Sequence, residues 1–192
     1  LGADRHGVAG KAYGFDGVDD YISVPDNDLI DLNGTDHSIG FWLNVNNLST
    51  ADSGGQTLIS KRHTGNSWGI CLTHGFPSYV QGGGNEVLFY RQSSSGVPLG
   101  NWMHLFLSYH LERKEIEFHL NGIFKESWFD AESPIPSGSD VRIGGEVNGI
   151  YLFDGSIDEI RIYDRALSVT EVAELYQLEK PNDPPTAIDL SG

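Results

Sequence analysis

The sequence predicts an all-β domain, a two-sheet antiparallel sandwich closed by one short C-terminal helix. Three observations carry that expectation. Apolar and polar residues alternate with period two along most of the chain, as half-buried antiparallel strands require. The composition, with 24 glycines, one methionine and an aromatic fraction of 11%, suits strands and turns rather than a helix bundle. Clusters of Gly, Asn, Asp and Ser interrupt the alternation at short intervals, and about ten short strands punctuated in this way make a sandwich.

Taken in order, strands are expected at 11–15 and 20–24, and then over 38–45, where Ile39, Phe41, Leu43 and Val45 share one face and Trp42 points the other way. Strands at 57–62, 67–73 and 86–91 follow, with Thr73 to Asn85 read as a glycine-rich loop. From Met103 to Trp128 the chain reads as a meander. Met103, Leu105, Leu107, Tyr109 and Leu111 face one side, and Asn121-Gly122 is a strong hairpin signal after Ile116, Phe118 and Leu120. Strands at 141–145 and 157–163 complete the set. The helix starts at Ser168-Val169-Thr170-Glu171, a capping box in which the Ser hydroxyl and the Glu carboxylate satisfy orphan N–H groups.

Charge and sulfur content narrow the function classes. Lys and Arg number 12 against 27 Asp and Glu, a formal net charge of −15, so no basic stripe exists for nucleic acid or anionic lipid. No apolar run approaches the ~18 residues of a membrane span. Cys71 is alone, which excludes a disulfide within the chain. Leu1-Gly2-Ala3 provides neither an initiator Met nor a signal-peptide core, so the chain reads as a piece of something longer. An acidic, sulfur-poor surface suits a secreted or cell-surface protein whose self-repulsion is screened by cations. After Leu178, Pro181, Pro184 and Pro185 stiffen the chain into a connector. The expected division is therefore a domain over 1–178 and a Pro-rich linker over 179–192 in which a new strand begins.

Particular residues carry a resemblance. They are Gly10-Lys11-Ala12-Tyr13-Gly14-Phe15-Asp16-Gly17 near the start and Phe153-Asp154-Gly155-Ser156-Ile157-Asp158-Glu159-Ile160 near the end, with Asn101-Trp102-Met103-His104 and Leu120-Asn121-Gly122 between them. In that order they resemble the bacterial laminin G-like (concanavalin A-like lectin/glucanase) domain. The resemblance implies a jelly roll of two curved sheets, binding rather than catalysis, and in many members a structural calcium ion. The family's opening strand and Asn/Asp/Gly-rich loop, which commonly help to hold that ion, have no counterpart before Ala9-Gly10-Lys11. The tail from Asn182 to Ser191 is similar to the first strand of the cadherin-like repeats of bacterial adhesins.

Two kinds of site are expected. Calcium takes six to eight hard oxygens, and Asp16, Asp19 and Asp20 could be brought beside Asp158 by pairing of the first and last strands. The alternative stands that these are turn-forming and strand-capping carboxylates. A second acidic group, Asp140, Glu146, Asn148 and Asp154, is either a rim site or solvated turn charge. Sugar recognition needs flat aromatic faces and planar polar groups on a rigid scaffold. The candidates are Arg62, His63, Trp68, His74, Tyr79, Arg91, Trp128 and Tyr151, each weighed against simple packing. Trp42 and Trp102 are assigned to structure.

Enzyme readings fail on spacing. A two-carboxylate glycosidase needs its acid and nucleophile about 5 Å apart on one face, whereas Asp158 and Glu159 are neighbours expected on opposite faces. Cys71 within Gly69-Ile70-Cys71-Leu72 reads as a small strand residue rather than an activated thiolate. The expected function is a non-catalytic, lectin-like module that binds a glycan or polysaccharide, with calcium as its cofactor, in an adhesin. The alternatives are a protein- or peptide-binding adhesion module and an accessory module of a polysaccharide-degrading enzyme.

Overall fold

Alternation along the chain becomes pairing in the computed structural model, which describes residues 1–48, 55–62, 67–83, 86–146 and 150–181. Twelve strands are assigned within these residues. One sheet is built from β1 (Tyr13–Asp16), β3 (His37–Val45), β8 (Trp102–His110), β9 (Glu115–Leu120), β10 (Ile123–Phe129) and β12 (Asp154–Tyr163), in the order β1-β12-β3-β8-β9-β10. The other is built from β2 (Ile22–Val24), β4 (Gly55–Ser60), β5 (Ser67–Thr73), β6 (Phe76–Gly83), β7 (Glu86–Gln92) and β11 (Val141–Ile143), in the order β2-β11-β4-β5-β6-β7. Every strand pair is antiparallel. The molecule is a jelly-roll sandwich with one short helix, α1 (Val169–Glu179), at its C-terminal end.

The inward face of each strand is the one its alternation predicts. Ile39, Phe41, Leu43 and Val45 meet Met103, Leu105, Leu107 and Tyr109 in the main core, together with Trp68, Ile70 and Leu72 from the opposite sheet. Burying each such side chain contributes about 1.5–3 kcal/mol. Asn121-Gly122 turns β9 into β10 with φ values of 52° and 70°, the left-handed pair that a two-residue hairpin requires.

The segment Thr73 to Asn85 corrects the loop reading. His74-Gly75 is a second such turn, with φ values of 52° and 84°, and it leads directly into β6. Pro77 and the glycines concealed that strand. Pro77 pairs with Leu72 near the start of β6, a position where a missing N–H is tolerated, and Gly82 falls at an irregularity between β6 and β7.

The outer faces of the two sheets differ. That of β3 and β8 is sealed by α1. Trp42, 1% exposed, stacks on Tyr176 at 5.6 Å and donates its indole N–H to Glu179 at 3.0 Å. Phe106, Leu167 and Val172 form a second small core beneath the helix. Gly40 admits the Phe106 ring, since a Cβ there would lie 2.1 Å from it. The capping box forms as expected, with Ser168 N–H donating to Glu171 at 2.9 Å and Glu171 N–H to Ser168 Oγ at 3.3 Å. Arg5 completes the seal, 2.7 Å from Asp158 and over the Trp42 ring.

Candidate functional site

The outer face of the second sheet carries no helix among the described residues. Because Trp68, Ile70 and Leu72 point into the core, Gly69, Cys71 and Thr73 must point out. Register extends that face across the sheet. Thr57, Cys71, Ser78 and Gln92 form one row, and Ser60, Gly69, Val80 and Tyr90 the next. Over these rows lies a groove of about 270 Å³, lined by Gly55, Gln56, Thr57, Arg62, Cys71, Thr73, Val80, Val87, Tyr90, Glu146 and Tyr151.

Polar groups gather along one wall. Arg62 Nη1 lies 3.8 Å from Glu146 Oε1, and the Thr57 hydroxyl donates to the same oxygen at 3.5 Å. The Arg62 aliphatic chain runs over Gly69, where a Cβ would come within 3.1 Å of it. Arg62 Nε has no hydrogen-bond partner among the described residues. Tyr151 is held in left-handed backbone geometry at φ 54°, and its carbonyl accepts from Thr57 N–H at 2.7 Å, which ties its loop to β4. Tyr90 and Tyr151 are 40% and 43% exposed, so both rings offer a face to a ligand. Burial, and after it the Glu146 carboxylate, push the Cys71 thiol up to about 11. It is therefore a protonated part of the floor at neutral pH, not a thiolate nucleophile.

Of the sugar-binding candidates, Arg62 and Tyr151 share this groove. Trp68 does not: it is wholly buried and donates its indole N–H to the Ile30 carbonyl at 3.1 Å. Tyr79 is buried on the same core side, and that burial pushes its phenol far above the ordinary value. Trp128 stacks on Phe118 at 5.3 Å, donates to Glu126 at 3.1 Å and is also core. Alternation explains all three, since each sits in register with inward residues of its own strand or the next. Arg91 pairs with Tyr79 and lies over the Phe89 ring at 4.7 Å, which turns it away from the groove. His74 is exposed at the tip of the β5–β6 hairpin, outside the lining. His63 lies outside the described residues.

Thr57, Tyr90 and Gln56 were not among the candidates, and Glu146 was placed only in the second acidic group. The signal for Thr57 and Tyr90 was available, because each occupies an outward position of its strand. What the sequence lacked was the register that sets them side by side.

The acidic groups separate in space. Asp16, Asp19 and Asp20 come together, each offering a carboxylate oxygen within 4.8 Å of the others, and all three are exposed. Asp16 Oδ1 accepts from the Val18 N–H at 2.8 Å, and Asp20 from the Asp16 N–H at 3.3 Å. Asp158 is not with them. The β1–β12 register sets Asp154 opposite Asp16, whereas Asp158 pairs with Trp42 and is held by Arg5. Burial raises the Asp158 carboxyl above its ordinary value in spite of that arginine. An irregularity between Asp158 and Arg161, with Glu159 at φ 50°, interrupts strict alternation in β12. The second acidic group disperses too. Asp140 accepts from Ser23 at 2.7 Å, Asp154 accepts from Asn46 and Asn47, and Glu146 lies in the groove. Asn148 lies outside the described residues.

The two antiparallel sheets define the jelly-roll sandwich class, and sequence places the chain in a particular superfamily of it. A model of the concanavalin A-like lectin/glucanases superfamily matches residues 16–173, so the chain belongs to that superfamily. No curated protein matches the chain. Among solved structures it is similar to the carbohydrate-binding module CBM40 of the Ruminococcus gnavus IT-sialidase bound to sialyllactose, with TM-score 0.70 and 15% identity over 86% of this chain and 96% of that one. It is also similar to domain 4 of AbnA, an extracellular arabinanase from Geobacillus stearothermophilus in complex with arabinotriose, with TM-score 0.66 and 22% identity over 86% of this chain and 76% of that one. The binding domain of Paraclostridial Mosquitocidal Protein 1 gives TM-score 0.69 and 20% identity over 86% of this chain, which spans only 42% of that domain. At these identities the likeness is one of fold.

Proposed function

We propose that this domain is a non-catalytic carbohydrate-binding module of a secreted or surface-borne bacterial protein, and that the groove on the outer face of β4 to β7 is its glycan site. The observation that carries the reading is the pairing of two half-exposed tyrosines, Tyr90 and Tyr151, with the Arg62, Glu146 and Thr57 wall on a rigid sheet. Such a surface offers the apolar face of a pyranose a stacking partner and its hydroxyls both donors and acceptors. The sialyllactose and arabinotriose in two structures of the same fold support the class of ligand. The cadherin-like tail falls outside the described residues and, as a sequence likeness, supports an adhesin. A glycan array with wild-type protein and Tyr151→Ala is the direct test: binding lost in the variant is the expected result. Capture of a protein or peptide with no array signal would favour the adhesion alternative. Signal confined to one polysaccharide backbone would favour an accessory module of a degrading enzyme.

Calcium is the second part of the proposal. The three carboxylates of Asp16, Asp19 and Asp20 are hard, exposed and mutually close, a donor set that suits calcium once backbone carbonyls and water complete it. Its role there would be to offset repulsion within the cluster and fix the loop after β1.

A further inference from the structure

The groove contains an acid beside a base, and that pairing bears on which glycan fits. Three features decide it. Arg62 presents a guanidinium, and Glu146 places a carboxylate oxygen 3.8 Å from it. The Thr57 hydroxyl, already donating to that carboxylate and 3.9 Å from the Cys71 thiol, keeps one lone pair for a further donor. The whole protein carries a formal charge of −15.

Resting on the carbohydrate reading above, we propose that the groove selects neutral glycans, engaging vicinal hydroxyls with Arg62 and Glu146 as a matched donor and acceptor, and rejects glycans whose acidic group would fall at that wall. A diol satisfies both side chains at once, one hydroxyl accepting from the guanidinium while its neighbour donates to the carboxylate. A sugar carboxylate satisfies only the arginine. A bidentate approach to Arg62 would bring its oxygens against Glu146, where like charges repel in a partly desolvated site. The acidic surface adds a long-range penalty for any anion. Among the described residues the groove lining holds no second cation: Arg91 faces away over Phe89, and Arg142, in register with Ser60 on β11, lies against Tyr21. Glu146 is on this argument a specificity residue, and its conversion to an amide should relax the choice.

The test compares matched neutral and acidic probes, lactose with sialyllactose and glucose oligomers with their glucuronate counterparts, on an array and then by titration calorimetry at low and high sodium chloride. Wild-type protein is expected to bind the neutral member of a pair at least about tenfold more tightly, a difference of about 1.4 kcal/mol, with affinity for it changing less than about twofold with salt. Glu146→Gln is expected to weaken neutral binding several-fold and to narrow the discrimination. Glu146→Asp, which keeps the charge, should preserve the discrimination and guards against a folding defect in the amide variant. Acidic members binding equally or better, with affinity falling steeply with salt, would overturn this proposal and leave the carbohydrate reading intact. Absence of binding to every neutral and acidic probe on the array would overturn the carbohydrate reading and this inference with it.

Discussion

The two sheets treat their outer faces in opposite ways. On the first, Trp42, His104 and Phe106 are covered by α1 and by Arg5, and each is at most 2% exposed. On the second, the equivalent outward residues are Thr57 and Cys71 in one row and Val80 and Tyr90 in the next, and they floor an open groove. Large aromatic residues at outward positions of β3 and β8 demanded a cover, because an exposed patch of that size costs solubility. The small residues Gly69, Cys71, Thr73 and Ser78 at outward positions of β5 and β6 demanded none. The sandwich thus seals one outer face and leaves the other open.

The comparison is broken most severely from the sealed side. Trp42→Ala removes the ring on which Tyr176 stacks and the donor to Glu179, and is expected to destabilise the domain by about 3–5 kcal/mol. Trp68→Ala should cost a similar amount from within the main core. Chemical denaturation measures both. If either variant kept wild-type stability and lost glycan binding, the assignment of these tryptophans to structure would be wrong.

Acid is expected to weaken the first sheet through its buried histidines. His104, on the sealed face, is held at about 4 by burial, with Arg5 and Arg161 adding to the effect, and burial also holds His37 at about 4 beneath Tyr109. A folded value below the unfolded 6.5 means the fold prefers the neutral ring. The contribution is complete above pH 6.5 and is lost as pH falls from 6.5 towards 4. Each histidine withdraws up to about 3 kcal/mol over that window. Thermal melts across it should show a steep fall that His104→Gln makes shallower. An unchanged slope in that variant would locate the acid sensitivity elsewhere.

Much of this division was legible in the sequence, and the part that was not has a common cause. Period-two alternation identified the inward faces of β3 and β8, and the capping box at Ser168 identified α1. The same alternation already set Trp68 with Ile70 and Leu72, yet aromatic character outweighed it, and Trp68, Tyr79 and Trp128 were read as ligand surfaces. A strand pattern gives two faces but not which sheet lies behind them. Register between distant strands was likewise out of reach. Asp16 meets Asp154 rather than Asp158 because β1 and β12 pair four residues earlier than the Asp158 reading assumed. Glu146 reaches the groove only through the turn after β11.

Calcium provides a smaller and sharper probe, because Asp16, Asp19 and Asp20 sit at and just after the end of β1 and are not part of the groove lining. Saturation at one hundred times the dissociation constant should raise stability by about 2.7 kcal/mol. Asp16→Asn and Asp19→Asn are expected to abolish the increment. Melts with calcium and with chelator decide it, and identical midpoints would remove calcium from the proposal while leaving the groove untouched.

The least perturbing variants are the most informative about the open face. Tyr90 and Tyr151 are each about two-fifths exposed, and the Tyr90 hydroxyl lies 3.3 Å from Ser78 Oγ, so Tyr90→Ala should cost about 1–2 kcal/mol, well short of Trp42→Ala. Tyr151 adds the strain of a left-handed backbone, and because an alanine there keeps the same penalty while glycine relieves it, Tyr151→Gly should be more stable than Tyr151→Ala. Both truncations remove a stacking face from the groove and are expected to weaken glycan binding about tenfold. Affinity and melting temperature should therefore move independently here, in contrast to Trp42→Ala, where stability falls first. Loss of binding only in proportion to lost stability would mean that the second sheet, like the first, is a structural face.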